Sequence, residues 1–293
     1  MGPMTDPITA TSNDLPDVVV ASLAAPDPGE RLRIEAAGIP FSALAWGNPT
    51  ARPLVLLHGV TASAAIWWRV APALAATGRR VLAPDLPGHG RTGHWTGRHR
   101  FADMAQDVAA WIRAAGLDRP TLQVIGHSYG AMTAAHLPAA GLRPHTLVLL
   151  DPPVLPLPLM AQQVEETDGQ SYDDLDDAIA AVAAANPGWS TGDIRASAEA
   201  LTELDVRAAR AILLDNGDWD GGLSGLAAPA AADLDIWVVK GEQATGSYLP
   251  DAAIPGFTAR LGADHILTVA GGAHSPQRMH LEATLVAFLR ALG

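Results

Sequence analysis

Three kinds of side chain in this sequence could together perform acyl transfer: a serine framed by glycines, a histidine in a loop, and an acid to orient it. The serine stands in Gly126-His127-Ser128-Tyr129-Gly130, behind an apolar run from Thr121 to Ile125 that reads as a buried strand. Small residues two positions either side of Ser128 let the backbone turn sharply from strand into helix. The hydroxyl then stands clear at the strand's carboxyl end, backed by free helix N–H groups. Such a pentapeptide also occurs in plain surface turns, so context decides. Ala131 to Leu137 is helix-compatible, which completes the order strand, turn, helix.

A serine hydroxyl needs an imidazole to take its proton, and the imidazole needs a carboxylate to orient it. His274, in Gly271-Gly272-Ala273-His274, lies between the last predicted strand and the closing helix, which puts it at the same sheet edge as Ser128. The other histidines read as structural. His136 falls in the helix after the serine, His145 and His265 enter strands, and His280 lies on the closing helix. His89, His94 and His99 are spaced by five in a polar loop, which suits solvated residues better than metal ligands. His58-Gly59-Val60 follows a strand directly, so the N–H groups of Val60 and Tyr129 are the expected donors to a developing oxyanion. The alternative is that His58 and Gly59 merely close the strand.

The elements that must position these groups alternate. Arg31 to Glu35 and Phe41 to Trp46 read as a hairpin, Pro53 to Leu57 as a buried strand, Ala64 to Ala76 as a helix, and Arg80 to Ala83 as a strand. Phe101 to Ala115 carries Phe101, Met104, Val108, Trp111 and Ile112 on one helical face. Thr146 to Leu150, Leu234 to Val239 and His265 to Val269 are further strands, and a helix from about Gln277 to Leu292 closes the chain. This rhythm implies an α/β fold with a mostly parallel sheet covered on both faces. It stops between Pro152 and Pro229, where helix-like segments near 172–185, 192–204 and 206–214 suggest a cap. The expected domains are a loosely ordered arm over 1–28, a core over 29–151 and 230–293, and a helical cap over 152–229.

Composition narrows the partners. With 293 residues the chain can hold one large α/β domain with an insertion. It has no cysteine, hence no disulfide, thiolate nucleophile or Cys-bearing zinc site. A net charge of −12 argues against nucleic acid, and the cluster Arg98-His99-Arg100 is too short to neutralise a phosphate backbone. A single lysine, Lys240, beside abundant Arg and Ala suits a high-GC bacterial genome. No apolar run approaches the roughly 20 residues that span a bilayer, and Val18 to Ala25 lacks the preceding positive charge of a secretory signal. The expectation is a cytoplasmic protein without metal or organic cofactor, and with no membrane partner.

Taken together, His58-Gly59, the loop Asp85-Leu86-Pro87-Gly88-His89-Gly90-Arg91-Thr92, Gly126-His127-Ser128-Tyr129-Gly130 and Gly272-Ala273-His274 resemble the α/β-hydrolase superfamily. The likeness runs from about Arg31 to the end of the chain. It implies an α/β-hydrolase fold with a helical cap inserted after the sixth strand. The Asp85 to Thr92 loop resembles the family's D-x-x-G-x-G-x-S turn, which is structural, with Thr92 where Ser is usual. The family most often places its acid three residues after the glycine ending the penultimate strand; that glycine is Gly241 here, and the position holds Ala244. Asp151 and Glu242 are the substitutes, with Asp251 a distant third. Relatives such as haloalkane dehalogenases and zearalenone-type lactonases carry the acid on the strand that Asp151 ends. Asp151 is favoured because a side chain there can reach the far ring nitrogen of His274, although an Asp at this point can also merely cap loops.

The function expected is a serine hydrolase that cleaves a carboxylic ester or lactone with a hydrophobic group through an acyl-enzyme on Ser128. Other serine chemistry of the fold (C–C bond hydrolase, amidase, acyltransferase or cofactor-free perhydrolase) and a non-catalytic ligand-binding member are the alternatives. The expected substrate contacts are His58, Gly59, His127, Val154, Leu155, Trp189 and Trp219, of which the cap residues could equally be packing. The acidic run Glu165, Glu166, Asp168, Asp173, Asp174, Asp176 and Asp177 reads as a solvated cap face that would disfavour anionic substrates.

Overall fold

The computed structural model describes residues 6–93, 96–167 and 171–293. His94 and Asp168 lie outside the described residues, as does the side chain of Glu166. Among the described residues the apolar runs become ten strands: β1 (Glu30–Ala36), β2 (Ile39–Trp46), β3 (Arg52–Leu57), β4 (Arg79–Pro84), β5 (Gln123–His127), β6 (Thr146–Leu150), β7 (Val154–Leu155), β8 (Trp219–Asp220), β9 (Asp235–Lys240) and β10 (Ile266–Thr268). Eight of them form one sheet in the order β1-β2-β4-β3-β5-β6-β9-β10. It is antiparallel where β2 meets β1 and β4, and parallel from β4 to β10. This is the α/β-hydrolase fold.

Strand periodicity divides the core. Val55, Leu57, Val124, Leu147 and Leu149 face one side, with the helices Phe101–Ala114 and Tyr129–His136 packed against it. Leu54, Leu56, Ile125, Val148 and Leu150 face the other, under the helices Val70–Ala76 and Leu281–Leu292. Both faces being covered is why these strands are apolar throughout instead of alternating.

Several boundaries differ from the sequence reading. The expected helix over 64–76 breaks into a 3₁₀ turn, Ala64–Trp67, and the helix Val70–Ala76. Pro72 lacks an N–H and its ring would clash with a preceding carbonyl, so it is tolerated only in a first turn. The serine strand runs Gln123–His127, two residues later than its apolar run. It can start on a polar residue because the Gln123 amide donates to the Leu292 carbonyl and accepts from Arg79 Nε. Nor are residues 6–28 a loose arm. Ile8 bridges Val269 alongside β10, the helix Asp17–Ala24 buries Val19, and Asp27 accepts from the Trp46 indole. The short spacing of apolar residues there masked an ordinary docking helix.

Between β6 and β9 the chain forms the helices Leu157–Thr167, Leu175–Ala185, Thr191–Thr202 and Val206–Leu214, and the two-residue pair β7–β8. This insertion grips the core at Gly88, whose carbonyl accepts from the Asp205 N–H. No helix among the described residues is long and apolar enough to cross a membrane.

The sheet and the serine helix meet at Gly130, where an added Cβ would lie 2.4 Å from the Leu57 carbonyl oxygen and 2.7 Å from that of His58. Both are backbone atoms of β3 and its turn and cannot rotate away. We expect Gly130→Ala to destabilise the protein by about 3 kcal/mol or more, read as a fall in the chemical denaturation midpoint; a midpoint within error of the parent would show that the serine helix can slide away from β3.

Candidate active site

The turn after β5 forces Ser128 into a conformation that L-residues avoid, φ 55° and ψ −119°. Such a position costs on the order of 1–3 kcal/mol and persists only where its surroundings over-determine it. Here they do: the Ser128 N–H donates to the Leu150 carbonyl at 3.1 Å, and a Cβ at position 126 would lie 2.2 Å from the Gly130 carbonyl oxygen. The two glycines are therefore steric requirements of the turn.

His274 sits in the loop between β10 and the short helix Pro276–Met279. Its Nε2 lies 2.9 Å from Ser128 Oγ, and its Nδ1 lies 2.7 Å from Asp151 Oδ2. Asp151 is fully buried at the end of β6, itself in the left-handed region at φ 42°. Burial alone would raise its carboxyl's pKa, but hydrogen bonds from His274, from the Ser247 hydroxyl and from the Tyr248 N–H outweigh that and hold it below the ordinary value. The Gly241 N–H adds another donor at 3.1 Å. An ionised Asp151 accepts from Nδ1–H, which leaves the Nε2 lone pair facing the serine.

The other acids are occupied elsewhere. Glu242 accepts from the Gly271 N–H at 3.2 Å and so braces the loop that carries His274. Asp251 pairs with Lys240 at 3.1 Å. The imidazole is clamped from two further sides: the Tyr248 ring stacks on it at 4.1 Å, and His127 Nε2–H donates to the His274 carbonyl at 2.8 Å.

Two histidines read differently from the sequence. His58 does not face the cavity: it is fully buried, accepts from the Leu86 N–H at Nε2, and donates from Nδ1 to the Gly59 carbonyl at 2.8 Å. It braces the turn instead of contacting substrate. His89 is not a solvated loop residue either, being fully buried with Nε2 2.6 Å from the Val60 carbonyl. Its place in a glycine-rich loop concealed that burial. These contacts fix the Val60 peptide, and among the described residues neither the Val60 nor the Tyr129 N–H donates to a backbone or side-chain acceptor. Thr92 takes up its departure from the family loop by accepting from the Ser42 N–H at 2.8 Å.

A cavity of about 360 Å³ opens over Ser128 between core and insertion. Of the expected contacts, Gly59, His127, Leu155, Trp189 and Trp219 line it. Val154 does not; it pairs with Asp220 in the β7–β8 ribbon. Tyr172, Leu201, Leu213, Tyr248 and Arg278 line it without having been singled out, since only the folded insertion brings them there. None of the described acidic-run residues borders the cavity; Glu165, Asp173, Asp174 and Asp177 lie on the exposed surface.

Ser128, His274 and Asp151 meet in one hydrogen-bonded series at the carboxyl edge of this sheet, and the chain belongs to the alpha/beta hydrolase fold family, whose profile matches residues 52–227. Among curated proteins it is similar to lipase LipV of Mycobacterium tuberculosis, 30% identical over 249 residues that cover 80% of this chain and 90% of the relative. The solved structure of E-2-(acetamidomethylene)succinate hydrolase superposes with a TM-score of 0.72 at 21% identity, over 90% of this chain and 98% of that one. The thioesterase domain from the curacin biosynthetic pathway superposes with a TM-score of 0.70 at 23% identity, over 90% and 99%. These two structures share the fold.

The site rests on neutral buried histidines. Burial, then the neighbouring His274, pushes His127 from 6.5 to about 3; burial also lowers His58, well below its ordinary value, and His89. The unfolded chain takes up protons near pH 6.5 that the folded chain refuses, so stability is lost as pH falls from about 6.5 toward these lowered values. Denaturation midpoints should change little from about pH 7.5 to 7 and fall increasingly as pH drops from about 6.5 to 5, and His127→Gln should flatten that fall; an unchanged slope would contradict a neutral His127.

Proposed function

We propose that the protein hydrolyses a carboxylic ester or lactone through an acyl-enzyme on Ser128. The observation that carries this is the unbroken chain Ser128 Oγ to His274 Nε2 at 2.9 Å and His274 Nδ1 to Asp151 at 2.7 Å. His274 takes the serine proton as Oγ attacks the carbonyl carbon. Asp151 stabilises the imidazolium without itself accepting the proton. The Val60 and Tyr129 N–H groups, free of other acceptors, receive the oxyanion. His274 then protonates the leaving alkoxide, and water activated by the same imidazole frees the acyl group. A hydroxyl at this turn, where a carboxylate would be needed to open an epoxide, favours acyl transfer. The similarity to a lipase supports an ester, and the apolar lining of Leu155, Val182, Trp189, Leu201 and Leu213 supports a hydrophobic acyl or alcohol group.

A fluorophosphonate probe should label the protein rapidly and stoichiometrically, and Ser128→Ala should abolish labelling. Asp151→Asn should lower kcat on p-nitrophenyl esters by about 10³–10⁴-fold without shifting the thermal midpoint downward by more than a few degrees. Absence of labelling would favour a ligand-binding member of the fold, and near-normal turnover in Asp151→Asn would remove that residue from the mechanism.

A further inference from the structure

Among the described residues Arg278 is the sole Lys, Arg, Asp or Glu side chain lining the cavity. It lies in the short helix just after the His274 loop, is 9% exposed, and is held in place: its guanidinium stacks on the Trp189 ring at 4.0 Å, and Nη1 donates to the Ser197 hydroxyl and, at 3.3 Å, to the Asp193 carbonyl. The opposite edge lacks a partner. Nε is buried without a hydrogen-bond partner, and among the described residues no acceptor engages Nη2. These two N–H positions form the fork that grips carboxylates in pairs.

Among the described residues no carboxylate pairs with this cation directly. The nearest acid, Asp193, spends its oxygens on Arg69, the Trp68 indole and the Ser190 hydroxyl. Burial lowers the Arg278 pKa only to about 10, so the charge persists at neutral pH. A buried, immobilised cation with its bidentate edge unpaired is costly unless a counter-charge arrives.

We propose that Arg278 is the anion-recognition residue of this cavity, and that the substrate carries a carboxylate, remote from the scissile ester, which seats on the Nε/Nη2 edge. This rests on the ester-hydrolase reading for the reaction, but not for the binding. An aliphatic chain along Leu155, Leu201 and Leu213 with a carboxylate at its far end fits both the lining and the charge. The acidic surface of the insertion does not oppose this, since it lies outside the cavity.

Binding and turnover separate the two ideas. Calorimetry on Ser128→Ala protein would use monoethyl adipate, with the carboxylate on the acyl side, and 4-acetoxybutanoate, with it on the alcohol side, each against its primary-amide analogue. At least one acid should bind about tenfold or more tightly than its amide. Adding Arg278→Gln should bring that ratio to near unity, and Arg278→Lys, which keeps the charge without the fork, should give an intermediate ratio. Ratios near unity for both pairs in Ser128→Ala alone, or an acid preference that survives Arg278→Gln, would overturn the proposal. The first comparison needs no change at 278 and so decides even if Arg278→Gln does not fold. Should the protein with Ser128 intact hydrolyse none of the four compounds while Ser128→Ala still prefers an acid, the ester reading falls and the anion site stands.

Discussion

The hydrogen bond between His274 and Asp151 joins residues 123 positions apart, and most of what surrounds the cavity serves to keep it short. It requires β6 to end where it does, the loop after β10 to return over the same edge, and Asp151 to stay ionised while fully buried. The parallel register of β5, β6, β9 and β10 supplies the first two conditions. The third comes from donors on the stretch following β9: Gly241, Ser247 and Tyr248 all point at one carboxylate. Tyr248 serves twice, with its N–H on the acid and its ring on the imidazole.

The insertion completes the cavity without contributing to the Ser128–His274–Asp151 chain. Its grip on the core runs through Gly88 on one side and the cluster of Asp193 with Trp68 and Arg69 on the other. Asp193 thereby neutralises a core arginine and, through its backbone carbonyl, fixes a second one. Position and charge at the cavity wall are set by the same residue.

Much of this was legible in the residues. The strand periods, the glycines around Ser128 and the loop position of His274 are local signals, and each has a steric or topological cause visible in the structure. Asp151 could be favoured over Glu242 because a strand's carboxyl end fixes where its next side chain sits, while a residue beside a glycine can point either way. Arg278, Tyr248 and Ser197 were not legible: nothing in their neighbourhoods marks them, and only tertiary packing brings them to one wall. His89 failed for the opposite reason. It sits in a glycine-rich loop, and its complete burial comes from contacts that only the fold makes, with the Val60 carbonyl and the His58 ring. Pro72 was an available signal for the break in its helix, and the docking helix before β1 was hidden by small residues that leave little periodicity.

Among the described residues Ser128 and Asp151 are two of the three non-glycine residues held at positive φ, and they end neighbouring strands. Glycine would relax either position at no steric cost, so thermodynamic pressure and chemistry pull these sites in opposite directions. A lineage selected only for persistence of the fold would be expected to drift toward glycine or asparagine at 151, becoming sturdier as it fell silent. An aspartate in so unfavourable a backbone pose gives up stability for the hydrogen bond that holds the His274 ring.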